Sequence, residues 1–385
     1  MKSVLKLFSG EVVVLISRML LVLYVAHSYG TESVGLYTTL MTWASIISLA
    51  AVFGGYNIIQ KRASDTSAIS VVLFLLCMVS TLSSLFISLF IYREFFLFSV
   101  FVLLSESIGL GVKSVSKAIS YCDGKLNELA LLNYFNSFSY VLSCIFLLMV
   151  DNSLIGLSIF VVIYNAMTVV VYFYPIYMYR DIKTFNINDI VRYVQSAYPY
   201  FISSFLRNSF SQLDKIIVNL LFGNQVSGLY NMCSRFLNTA MLPVSIYIQS
   251  IESKFYHFEK DNQGGFSFLV SYRNKVLWVS VFLSLISFPI VWFLSSSING
   301  LNGVADIYPY FMPMGVITNV AYLYLSYLNA GRTILRIASL ALLNIFVVVI
   351  ISALFYFSED KYIYLPVAIS FVILSVLVYV HEKIK

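Results

Sequence analysis

The feature that most constrains this chain is a succession of uninterrupted apolar stretches, each about twenty residues long, separated by short polar or Gly/Pro breaks. That is the length an α-helix needs to cross the hydrocarbon core of a bilayer. Cutting at the breaks predicts spans over 9–28, 35–58, 68–91, 95–118, 128–150 and 154–179. A second set follows over 198–221, 226–249, 276–296, 307–328, 333–356 and 361–380. The stretches are continuous and do not alternate with period two, so they read as helices and not as strands of an outer-membrane barrel. The charged fraction agrees: it is 11%, against roughly a quarter in soluble domains, which leaves too little polar surface to cover a water-soluble globule.

With 60% apolar residues committed to spans, almost nothing remains for a soluble domain, which excludes a fused ATPase. No G-x-x-x-x-G-K-[ST] loop is present, nor an H-E-x-x-H pair among His27, His257 and His381. Cys77, Cys144 and Cys233 lie inside apolar runs and Cys122 beside a short polar loop, with no C-x-x-C pair, so neither a disulfide framework nor a metal site is expected, and no cofactor. The first span carries Glu11 and Arg18 and lacks an A-x-A cleavage pattern, so it reads as a retained helix and not a signal peptide.

The positive charges orient the chain. Of 24 Lys and Arg, eighteen fall in alternate loops beginning with the N-terminus, only Arg93 and Lys361 fall in the opposite loops, and four lie inside spans. Cytoplasmic loops retain such an excess, so both termini of a multi-pass membrane protein are expected in the cytoplasm. The outward loops are short, and no external domain is expected. The longest inward segment, Ile251 to Lys275, places Ile251, Phe255 and Phe258 at helical spacing and reads as a connector lying along the inner interface.

An octapeptide is duplicated. Gly30-Thr-Glu-Ser-Val-Gly35-Leu36-Tyr37 recurs as Gly223-Asn-Gln-Val-Ser-Gly228-Leu229-Tyr230, a shift of 193 residues in a chain of 385. Each copy sits in the outward turn between the first and second spans of a six-span half. An even number of spans per half keeps the halves parallel, related by an axis along the membrane normal, as in many transporters. The expected fold class is therefore an all-α polytopic membrane protein, with about twelve transmembrane helices in two parallel-repeat six-helix bundles around a central cavity. The expected division is an N-terminal lobe 1–179, a cytoplasmic connector 180–197 and a C-terminal lobe 198–385.

Seven ionisable side chains are embedded: Glu11, Arg18, Glu106, Arg207, Asp214, Lys215 and Arg235. Each costs at least about 2.5 kcal/mol at the bilayer centre, so such groups face a cavity or a partner. Arg207, Ser211, Asp214 and Lys215 form one helical stripe, Asn231, Arg235 and Asn238 a second, and Asn133, Asn136, Tyr140 and Ser143 a third. Pairing of Asp214 with Arg207 and of Glu11 with Arg18 is one reading. Four embedded cations against three anions favour the other, a lumen that attracts anions, in which the planar fork of arginine suits phosphate. The candidate substrate-binding residues are Arg18, Arg207, Lys215, Arg235, Asn231, Asn133 and Asn136, and the candidate coupling or ion-pair residues are Glu11, Glu106 and Asp214.

The glycine-containing first span, the turn from Gly30 to Tyr37, the Ser211-Gln-Leu-Asp214-Lys215 motif with Gly223 eight residues on and the repeated turn ending at Tyr230 resemble a known family. It is that of the Wzx-type O-antigen and polysaccharide repeat-unit flippases, in the multidrug/oligosaccharidyl-lipid/polysaccharide exporter superfamily. The resemblance implies an inner-membrane protein of two six-helix lobes, not an enzyme. Its substrate would be an undecaprenyl-pyrophosphate-linked oligosaccharide moved from the cytoplasmic to the periplasmic leaflet by alternating access. It implies membrane lipids, the polysaccharide polymerase and the chain-length machinery as partners, no nucleic acid, and cavity-lining roles for Arg18, Asp214 and Lys215. An ion-coupled multidrug exporter or a lipid-linked peptidoglycan precursor flippase of the same superfamily are the alternatives. An integral glycan polymerase or acyltransferase would need a large external loop or a catalytic His/Asp motif.

Overall fold

The computed structural model describes residues 2–61, 66–149, 154–179, 186–260, 265–298, 301, 303–331, 333–357 and 361–384. Among them there is no strand. The α-helices in chain order are α1 (Lys2–Val52), α2 (Gly55–Lys61), α3 (Thr66–Phe90), α4 (Phe96–Cys122), α5 (Leu126–Met149), α6 (Leu154–Tyr179), α7 (Ile187–Lys260), α8 (Gly265–Ser297), α9 (Val304–Gly331), α10 (Thr333–Phe357) and α11 (Leu365–Ile384). Two are far longer than a bilayer is thick, and both are broken by a glycine: α1 at Gly30 (φ 80°, ψ 170°) and α7 at Gly223 (φ 80°, ψ 179°). With each counted as two legs, and the seven-residue α2 set aside, the described helices supply twelve membrane-length segments in the expected order. By length and apolarity alone, eight described stretches qualify, one of them (12–52) holding both legs of α1. Neither leg of α7 is among them: Asp214, Lys215, Arg235 and its asparagines make it too polar, although its legs are long enough.

The chain divides into two compact units, one of residues 1–29 and 37–208, the other of 30–36 and 209–385. In the first, α4 packs on α3 and α6, and α5 on α6. Its core near the end of α1 gathers Val52, Val72, Val115, Ile119, Tyr172 and Ala197. The backbone turns sharply there: Phe53 (φ 44°) and Gly54 (φ 73°) both adopt left-handed conformations. A Cβ at position 54 would lie 2.8 Å from the carbonyl oxygen of Ala197, so the glycine meets both a conformational and a steric demand. This turn ends the second leg at 52, where the apolar run alone suggests 58. The Tyr193 hydroxyl caps it by donating to the Val52 carbonyl at 2.8 Å, and Phe53 stacks on Phe201 with centroids 4.2 Å apart.

The residues expected as a connector therefore do more than connect. Residues 180–185 lie outside the described residues, but from Ile187 the chain is already helical, and Tyr193 and Ala197 are buried in the first unit. The boundary between the units falls within α7, at 208/209.

In the second unit, α9 packs on α8 and α11, and α11 also on α10. The segment from Ile251 differs from its expectation as an interfacial connector. It continues α7 to Lys260, with Ile251 and Phe255 buried and the Phe255 ring edge-on to those of Phe268 and Tyr327. Phe258 lies outside the described side chains. Aromatics that would anchor a surface helix instead fill the core.

The duplicated octapeptides meet within this second unit, to which residues 30–36 belong. A Cβ on Gly35 would lie 1.7 Å from the carbonyl oxygen of Asn224, and a Cβ on Gly228 would lie 2.2 Å from that of Thr31. The contacts are reciprocal: the sixth residue of each copy sits against the carbonyl of the second residue of the other. Only a residue without a side chain permits backbones to approach so closely.

Candidate functional site

In the first unit, the polar residues of α5 converge on α6. The Tyr172 hydroxyl donates to Asn133 Oδ1 at 2.6 Å, and the Thr168 hydroxyl donates to Asn136 Oδ1 at 2.8 Å. Asn136 Nδ2 in turn donates to the Tyr164 hydroxyl at 3.2 Å. Next to Tyr164 on α6, Asn165 Nδ2 donates to Glu106 Oε2 of α4 at 2.7 Å, and Lys113 Nζ lies 5.2 Å from the centroid of the Tyr172 ring. The result is a seam of hydrogen bonds along α6 in surroundings where an unmet polar group is costly. The first leg of α1 reaches the same region. A Cβ on Gly10 would touch Asn133 Cβ at 3.1 Å, and the hydroxyls of Ser9 and Tyr134 are hydrogen-bonded.

In the second unit the charges gather on the legs that meet at Gly223. Asp214 is fully buried; its Oδ2 accepts a hydrogen bond from the Tyr230 hydroxyl across the turn at 2.9 Å, and Lys215 Nζ lies 3.8 Å from its Oδ1. Residues 214 and 215 are about 100° apart around the helix, so Tyr230 supplies the shorter and better-aimed contact. Lys215 also donates to Gln212 Oε1 at 3.3 Å. Asn231 gives its amide to the carbonyl and hydroxyl of Ser227 on its own helix, and Asn219 donates to Asn224 within the turn. Arg235 is half-buried one turn beyond Asn231.

The structure thus brings together Asp214, Lys215 and Tyr230, and separately Glu106 with Asn165 and Asn133 and Asn136 with α6. The side chains of Glu11, Arg18, Arg207 and Ser211 lie outside the described residues, and with them the two expected carboxylate–arginine pairs. Sequence reasoning passed over Asn165, Thr168 and Tyr172. Their spacing of three and four residues marks one helix face, a signal hidden by the high apolarity of that span. In the sequence Tyr230 stands out only as the end of the repeated turn.

A chain of twelve helical segments, with glycines breaking the backbone between the first and second and between the seventh and eighth and polar groups buried within its bundles, has the fold of solved transporters of the MOP superfamily. The lipid II flippase MurJ in an inward closed conformation superposes with a TM-score of 0.76 at 12% identity, over 99% of this chain and 87% of that one. An inward-facing multidrug resistance MATE family transporter gives 0.70 at 13% identity, over 98% and 93%. A MOP superfamily transporter from Pyrococcus furiosus gives 0.67 at 12%, over 99% and 94%. The family is more specific than the fold: residues 32–301 match the polysaccharide biosynthesis protein family, and the chain belongs to it. A comparison with curated protein sequences finds no match.

Proposed function

We propose that this protein is a flippase that carries an undecaprenyl-pyrophosphate-linked oligosaccharide, an O-antigen or related repeat unit, from the cytoplasmic to the periplasmic leaflet of a bacterial inner membrane. It works by alternating access, with both termini cytoplasmic. The observation that carries the reading is positive charge held inside the helices of a polysaccharide biosynthesis protein: Lys215 is only 9% exposed in the middle of α7, and Arg235 is half-buried on its second leg. Charge-assisted hydrogen bonds to a pyrophosphate are about twice as strong as neutral ones and repay the burial of such cations. Arg18 and Arg207 complete the proposed set. Of the other candidates, Asn133 and Asn136 accept hydrogen bonds from α6 and Asn231 donates to Ser227, so the reading rests on the four cations. The polysaccharide polymerase and chain-length machinery are the proposed downstream partners, and Glu11, Glu106 and Asp214 the proposed coupling or ion-pairing groups.

Deletion of the gene is expected to remove surface polysaccharide and to accumulate lipid-linked units facing the cytoplasm. Lys215→Ala and Arg235→Ala should each reduce surface polysaccharide at normal membrane abundance, with Lys215→Arg and Arg235→Lys less harmful. Polymerised glycan made by the purified protein from lipid-linked units would refute the flippase in favour of an enzyme.

A further inference from the structure

Glu106 and Asn165 form a deeply buried polar pair that joins two helices of the first unit, at 1% and 2% exposure. Their depth can be read from either helix. Glu106 is ten residues from the start of α4 and Asn165 eleven from the start of α6. At 1.5 Å per residue both lie about 15–16 Å in, half the thickness of a bilayer core. The contact is built with care. Asn165 Nδ2 is shared between Glu106 Oε2 at 2.7 Å and the Val161 carbonyl at 3.0 Å, which fixes the amide rotamer. On the α4 side, three residues from Glu106 and so on nearly the same face, stands Gly109, where a Cβ would fall 2.6 Å from Asn165 Oδ1. The glycine leaves the gap into which the asparagine fits.

A helix-to-helix hydrogen bond at this place needs only an acceptor. Glutamine would supply one with the same shape and reach, without the cost of a carboxyl group that ionises in hydrocarbon surroundings. An acid where an amide would suffice is explained by what only the acid does, which is to exchange a monovalent cation. Along α6 from this pair run the hydroxyls and amides of Thr168, Asn136, Tyr172 and Asn133, with Lys113, two turns further along α4, as the next charged group of the seam.

We propose that Glu106 is the group through which the first unit binds and releases a proton or sodium ion during transport, and that Asn165, seated by Gly109, is the positioning residue that aims its carboxyl. The proposal rests on the flippase reading and selects one of its three acidic candidates.

The test uses the full-length protein in cells lacking the chromosomal copy, and in proteoliposomes with an entrapped pH dye or external radioactive sodium. Glu106→Gln keeps the hydrogen bond, so normal membrane abundance is expected, with surface polysaccharide reduced at least tenfold and uptake of the cation lost. Uptake of protons by the wild type identifies one source and uptake of sodium the other. Asn165→Leu should lower export, and Glu106→Gln with Asn165→Asp, which returns a carboxyl to the pair, should restore part of it. A structural bond alone would give no such rescue. In the wild type, dicyclohexylcarbodiimide should modify Glu106, read by mass spectrometry, which keeps the idea testable if the variants fold poorly. Normal export by Glu106→Gln, or an unmodified Glu106, overturns the proposal while the flippase reading stands. Failure of that reading shows differently, as a gene deletion that leaves surface polysaccharide intact.

Discussion

Placing an alanine at position 228 should be among the most damaging single-methyl changes in this protein. Its Cβ would lie 2.2 Å from the Thr31 carbonyl oxygen and 3.1 Å from the carbonyl carbon, where ordinary contact begins at 3.4 Å. The shortfall is about 1.2 Å against a backbone atom, which cannot rotate away as the end of a side chain does. Overpacking of this kind costs about 1–3 kcal/mol, and a clash against main-chain atoms puts Gly228→Ala at the upper end. Gly35→Ala, at 1.7 Å from the Asn224 oxygen, should cost at least as much. Both changes force apart the same pair of turns, so the second should add little once the first is made. The double variant should be more stable than the sum of the singles by at least about 1 kcal/mol. Gly30→Ala and Gly223→Ala provide the contrast. Nothing lies within 4 Å of either Cβ position, so each carries only backbone strain, about 1–3 kcal/mol, at separate sites, and their effects should add. Unfolding midpoints in detergent, read at one scan rate from the fluorescence of Trp43, Trp278 and Trp292, measure this, at about 2 °C per kcal/mol. Additive losses at Gly35 and Gly228, or an unchanged midpoint for Gly228→Ala, would refute the reasoning.

Two further predictions concern topology and the buried acid of α7. Reporter fusions at Lys61, Arg180 and Lys385 should report cytoplasm and fusions after Asn152 and Asn302 periplasm; both groups on one side would contradict the charge-based orientation. Tyr230→Phe removes the hydroxyl that donates to buried Asp214, at a cost of about 1–3 kcal/mol, and should lower membrane abundance. Adding Asp214→Asn should recover that abundance by removing the stranded charge, and a double variant no more abundant than Tyr230→Phe alone would count against the Tyr230–Asp214 bond as a stabilising contact.

The number and order of the helices were legible because apolarity reports directly on burial in lipid. Their lengths were not. The expected seventh span begins at 198 and the eighth ends at 249, yet α7 begins at Ile187 and runs to Lys260. Apolarity measures the thickness of the membrane, and a helix continues past it for as long as its aqueous turns find something to pack on, as Tyr193 and Phe255 do. The polar seam was half legible. Asn133, Asn136 and Glu106 stood out as polar residues in apolar runs, whereas their partners Thr168 and Tyr172 are ordinary residues of an apolar span and acquire meaning only when α5 and α6 are brought together. Asp214 was visible, but its partner Tyr230 is sixteen residues away, across a turn whose geometry no pattern of hydropathy encodes.

The mutual seating of the two glycine turns also limits which sequences each turn is able to carry. The two copies of the octapeptide share the glycine that opens them and the Gly-Leu-Tyr that closes them. Each copy is the other's packing partner. A side chain gained at Gly35 collides with the second copy, and one gained at Gly228 collides with the first, so neither turn is able to diverge alone. A side chain at either position would have to be answered by a shift of the other turn's backbone, so the two copies of the octapeptide are tied to each other's sequence at this point.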